Sequence, residues 1–189
     1  MTFDDLSNEF AKHSVELRKL VNDDLPKKIG VLAVSLFKKN FREEAFFGEK
    51  WKEPLRKGVG TGASANRKTL TGTGDLGRSI QYVPGTGEVT IFSDLSYSAI
   101  HNEGGTTHPR VTPKMRRYMW AMFYKSGGGK KKSSALSAEA EQWKSMAITK
   151  QEVLTVHIPQ RQFLGYHDKL QEAVNAKIDE EVNKQLKVN

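Results

Sequence analysis

The chain contains no cysteine, which excludes disulfide scaffolds, thiolate zinc sites, thiol nucleophiles and redox pairs. It also lacks a long apolar run. The longest nearly apolar stretch, Ile29 to Phe37, falls well short of the ~20 residues a membrane helix needs, so no membrane partner is expected. Residues 1–10 carry Asp4, Asp5 and Glu9 and no Lys or Arg. They lack the basic n-region of a signal peptide, and the chain is expected to stay in the cell that makes it.

Motifs of catalysis are missing too. Gly58 to Gly62 and Leu70 to Gly77 are glycine-rich, but neither ends in Gly-Lys-Ser/Thr, and Gly72, Gly74 and Gly77, although at the spacing of a dinucleotide fingerprint, follow an expected loop rather than a strand. There is no Gly-x-Ser-x-Gly elbow and no carboxylate pair near a His at a motif spacing. His101, Glu103 and His108 are close in sequence, yet not at the i, i+4 spacing of a helical zinc site. A structural hydrogen-bonding role is expected for them rather than a metal one. The sequence therefore predicts neither an enzyme nor a cofactor.

What is present is a chain of 189 residues with a formal charge of +8, a length suited to one domain that buries ~70% of its unfolded surface. The stretch from Arg110 to Lys150 holds ten basic and two acidic residues and so carries the whole excess. Such a block is either a solvated face or a phosphate-binding track, and the first is expected, because charge by itself is non-specific.

Periodicity supplies the elements. Phe3, Leu6, Phe10, Leu17, Leu20 and Val21 recur at helical steps over about Phe3 to Asp24, with His13 at the edge of the stripe. Pro26 suits the first turn of a second helix whose apolar positions are Ile29, Leu32, Ala33, Leu36, Phe37 and Phe41. Both stripes are expected to be core faces. From Ala45 to Gly74 no hydrophobic period survives, which predicts a long loop anchored by Trp51 and Leu55, with Gly58 to Lys68 too polar to bury itself.

Ser79 to Val83 and Glu88 to Phe92 flank Pro84-Gly85-Thr86-Gly87 and read as a hairpin. Tyr97 to His101 is expected to continue the sheet or turn onto it, ending at Gly104 and Gly105. Thr112-Pro113 reads as a cap and first turn of a helix presenting Met115, Met119, Met122 and Phe123. Ser126 to Ser134 has linker composition. A short helix over Ser137 to Thr149, a strand ending at Pro159, and an amphipathic C-terminal helix through Leu170, Val174, Ile178, Val182 and Leu186 complete the chain.

Four clusters stand out in this order: Trp51-Lys52-Glu53-Pro54-Leu55; Leu70 through Ile80, with Gly72, Gly74 and Leu76; Tyr97 through Gly105, with His101 and Gly104; and Ile158 through Gly165, with Pro159, Arg161 and Phe163. Together they make the chain resemble the phage virion morphogenesis proteins, also called tail-completion or head-tail joining proteins. The resemblance runs from about Leu25 to Leu186 and skips 110–150, which looks like a basic insertion carrying two helices.

The resemblance implies an α+β fold: helices packed on a small, mostly antiparallel β-sheet, with a long glycine-rich loop. It also implies a non-enzymatic structural role at the neck or tail terminus of a virion, after assembly in the host cytoplasm. The implied partners are further copies of the chain in a ring of six, together with connector and tail-tube proteins.

Residue by residue, Gly72 and Gly74 would turn the chain into the strand at Ser79, with Leu76 and Ile80 facing the core. Tyr97 and His101 would sit half-buried beside Gly104 and Gly105. Pro159 would end a strand, Phe163 and Leu164 would plug the core ahead of Gly165, and Arg161 would pair with a carboxylate in its own chain or in a neighbour. The alternative reading is a nucleic-acid-binding protein using 110–150, with Tyr118, Trp120 and Phe123 interleaved for stacking. Lys130, Lys131 and Lys132 are the candidates for proximity to genomic DNA; the three glycines before them favour a solvated segment.

Overall fold

A computed structural model of the chain describes residues 2–54, 66–129 and 136–187. Of the residues named above, Leu55, most of Gly58 to Lys68, and Lys130, Lys131 and Lys132 lie outside the described residues. The fold is α+β, and its strands are antiparallel.

Helix α1 (Phe3–Lys19) opens with a capping box in which Thr2 and Asp5 bond each other's backbone N–H groups. It runs through a π-helical turn, Leu20–Asp24, into α2 (Leu25–Glu43), with Pro26 in the first turn of α2 as expected. Lys19, Leu20, Asp24 and Leu25 all stay in the right-handed helical region, so the two predicted helices form one continuous path. Glu44 ends it with a left-handed φ of 51°.

The two helical stripes have different fates. On α2, Ala33, Phe37 and Phe41 are buried, as expected. The first stripe is corrected in part: its end is covered, with Leu20 buried and Leu17 half-buried, but no residue of α1 itself is buried, and Phe3 is 85% and Phe10 78% exposed. The period made the face, but no part of the described chain is packed against its first turns.

The strands divide into three two-stranded ribbons. A short hairpin, β1 (Ala45–Phe46) with β2 (Glu49–Lys50), occupies the start of the predicted long loop. One helical turn, α3 (Asp75–Arg78), precedes the expected hairpin of β3 (Ile80–Pro84) and β4 (Val89–Ser93). Tyr97 to His101 does not join a sheet: Ser98–Glu103 is a short helix, α4. Strand β5 (Gly105–Thr107) pairs with β6 (Val156–Ile158), and that ribbon extends by a bridge from Arg110 to Val153.

Between these last strands the chain makes a helical hairpin of α5 (Pro113–Lys125) and α6 (Ala138–Ile148). The Thr112 hydroxyl caps α5 as expected, and the Ser137 hydroxyl caps α6. Met119, Phe123, Ala140 and Ala147 are the buried residues of the pair, and Arg116 donates to Ala147 O and Thr149 O, satisfying carbonyls at the end of α6. The C-terminal helix is α7 (Asp168–Lys187). It packs on α2, where Lys28 and Lys177 bond Glu181 and lower its carboxyl pKa to about 2, the Lys177 bond having the larger effect.

The core lies where α2 crosses β3 and β4, with Phe37, Phe41, Phe46, Trp51, Leu76, Ile80 and Phe163 buried together. The close crossing of α2 and β3 rests on Gly30, because a Cβ there would stand 2.2 Å from the Tyr82 ring. Gly→Ala inside a helix ordinarily stabilises by about 1 kcal/mol. Here Gly30→Ala should instead destabilise by about 1–3 kcal/mol through overpacking, read as a lower urea midpoint, and Tyr82→Ala in the same chain should relieve the clash.

Candidate functional site

The motif clusters meet at an irregular segment, residues 159–164, which passes through the core without belonging to a helix or strand. Pro159 follows β6 and has no N–H with which to extend the ladder. The next residue lies against Gly104, where φ is 76° and an added Cβ would stand 2.7 Å from Gln160 N. Glycine is needed there on both counts. Arg161 donates its backbone N–H to His101 O and its Nε–H to Lys52 O, each at 2.9 Å.

Deeper in, Trp51 Nε1 donates to Gln162 O at 2.7 Å. Asn102 Oδ1 accepts from both Phe163 N and Leu164 N at 2.9 Å. Asn40, 2% exposed, donates to Phe163 O at 3.5 Å and accepts from Phe47 N at 3.1 Å. The Phe163 side chain is fully buried, its ring 5.1 Å from Phe41, which meets Trp51 edge-on at 5.4 Å.

Two open hollows lie among the motif clusters. One, of about 670 Å³, is lined by Pro54, Gly105, His157, Pro159 and Arg161. The other, of about 180 Å³, is lined by Gly72, Gly74, Leu76, Tyr97 and His101. Gly74 has a φ of 82° and leads into α3, so the chain turns into a helical turn before the strand. The positive φ expected to make that turn belongs to Gly74 and not to Gly72. Gly165, with a φ of 138°, follows the buried segment.

His101 is half-buried, and its ring meets Tyr97 edge-on at 6.0 Å. Its Nδ1 is buried with no hydrogen-bond partner. Burial holds its pKa below the ordinary imidazole value, and the Arg161 guanidinium adds to the effect. Among the described residues no group of three or more His, Asp or Glu is placed to hold a metal ion. No described helix is long and apolar enough to cross a membrane.

The hollows join clusters distant in sequence but place no nucleophile beside a base. What the arrangement does chemically is to fix a buried peptide segment. Asn40 and Asn102 carry much of this, and no role was predicted for either from sequence. Asn40 had a signal: a polar residue within the α2 apolar stripe, between Phe37 and Phe41.

In the basic insertion, Phe123 is buried and Trp120 half-buried against it at 5.5 Å, while Tyr118 meets Trp143 edge-on. Compared with models of known protein families, with curated proteins and with solved structures, the chain matches none.

Two outcomes follow from this geometry. Asn102→Ala leaves two backbone donors without their acceptor and should cost about 2–5 kcal/mol in urea unfolding, whereas Asn102→Asp keeps the acceptor oxygen and should lose less. For His101, a folded pKa below the unfolded one means that the unfolded state binds more protons. Its contribution is complete above about pH 6.5 and is lost as pH falls through the folded pKa. A pH series of unfolding midpoints should show this loss in the parent and a flatter profile in His101→Gln.

Proposed function

We propose that this protein is a non-enzymatic structural component of a tailed-phage virion, completing the tail or joining head to tail as a ring of subunits at the neck. The observation that carries the reading is the convergence at residues 159–164. Trp51, His101, Asn102, Gly104, Arg161 and Phe163, from three of the four clusters in the family resemblance, are interlocked there by backbone hydrogen bonds and close packing. A set of motif residues spent on fixing a buried segment supports a scaffold role, because such residues hold shape and leave binding to the surfaces around them. The exposed apolar side chains of α1, Phe3, Leu6 and Phe10, support work in contact with other proteins. The partners in this reading are further copies in a ring of six, the connector and the tail tube, with 110–150 facing solvent. Nucleic-acid binding through that segment is less favoured, since Phe123 and Trp120 are engaged in packing within the hairpin.

The test is a phage with this coding sequence disrupted. It should accumulate DNA-filled heads and separate tails, and mass spectrometry of purified parental virions should detect the protein. Its absence from virions, or joined infectious particles at the parental yield without it, would sink the reading.

A further inference from the structure

The apolar stripe of α1 is covered at one end and bare at the other. Leu20 is 5% exposed and Leu17 is half-buried, while Phe10, Leu6 and Phe3 are 78%, 54% and 85% exposed. Glu9 flanks the bare part, and Asp4 and Asp5 lie in the same first turns, with no cation before Lys12. The bare part is therefore apolar and acidic.

A complementary surface exists elsewhere on the same chain. Val31, Val34, Ser35, Lys38, Arg42 and Tyr82 line an open groove of about 490 Å³ between α2 and β3. Its Val31 is 58% exposed, and its two charged side chains are both basic. Neither Lys38 nor Arg42 forms an ion pair with a described residue. This groove is apolar and basic.

The two surfaces cannot meet within one molecule. They lie on one continuous helical path, and the 28 positions from Leu6 to Val34 span about 42 Å at 1.5 Å per residue. An anionic bilayer is a poor occupant for α1, because interfacial helices carry Lys and Arg on the polar face, where α1 carries Asp4, Asp5 and Glu9.

We propose that Phe3, Leu6 and Phe10 of one copy seat in the α2–β3 groove of a neighbouring copy, with Glu9 facing Lys38 and Arg42. The contact is heterologous, a knob on one surface and a groove on another, and repeats of such a contact close into a ring when the rotation permits. The inference rests on the ring reading above and supplies its contact.

The absence of cysteine makes the test direct. The chain carrying Leu6→Cys and Val31→Cys, oxidised at high protein concentration, should give a ladder of disulfide-linked multimers on a non-reducing gel. Leu6→Cys by itself should remain monomeric. Separately, Glu9→Lys and Lys38→Glu should each weaken self-association in sedimentation by about tenfold, and the double variant should recover most of the loss, as expected when the two charges face each other. No ladder, dimers from Leu6→Cys by itself, or no recovery in the double variant would overturn the contact.

Failure of this contact and failure of the virion reading are distinguishable. Absence of the ladder while the protein is found in virions removes the contact and leaves the function. A ladder from a protein absent from virions supports the contact and removes the function.

Discussion

The backbone of residues 159–164 belongs to no helix or sheet ladder although Arg161 and Phe163 within it are buried, and elements from the rest of the structure supply its hydrogen-bond partners. A buried N–H or C=O without a partner costs as much as a lost hydrogen bond or more. Side chains from elements far apart in sequence supply the partners: Trp51 after β2, Asn40 in α2 and Asn102 in α4. Because each of these donors or acceptors must reach the same segment, the positions of α2, α4 and the β5–β6 ribbon are fixed relative to one another. The Phe163 ring then completes the aromatic contacts of Phe41 and Trp51.

The same constraint accounts for how the motif residues are engaged. Gly104 yields its space to the Gln160 backbone, and Arg161 directs its Nε–H to the carbonyl of Lys52. His101 presents its carbonyl to the Arg161 N–H, and burial lowers the pKa of its ring. The glycine-rich segment is held from both sides. Trp51 lies at its start, and past its end Thr69 bonds the Glu44 carboxylate at the end of α2.

The basic insertion obeys its own packing. Helices α5 and α6 bury Met119, Phe123, Ala140 and Ala147 against each other and connect to the body through the β5–β6 ribbon. A self-packed hairpin on a two-stranded stalk adds a charged surface at little cost to the main core, since the two share few contacts. Helix α1 is the contrasting appendage: it brings an apolar face with no cover in the described chain, and α2 offers a groove of opposite charge.

Much of this was legible in the chain itself. The periods of α2, α5 and α7, the Thr112 cap, the Pro84–Gly87 turn and the stop at Pro159 are local signals, and each reflects forces acting within a few residues. The α+β class followed from their order. Burial of Leu76, Ile80 and Phe163 was expected only through the family resemblance, and all three are buried. Other features depended on neighbours that no local window contains. Tyr97 to His101, expected to continue the sheet or turn onto it, instead leads into α4, whose Asn102 accepts from Phe163 N and Leu164 N. Asn40 and Asn102 became structural residues through partners 123 and 61 positions away. The α1 stripe has the same helical period as the α2 stripe, yet the first turns of one are bare and the other is buried. A period determines which face of a helix is apolar, and only the packing of distant segments decides whether anything covers it.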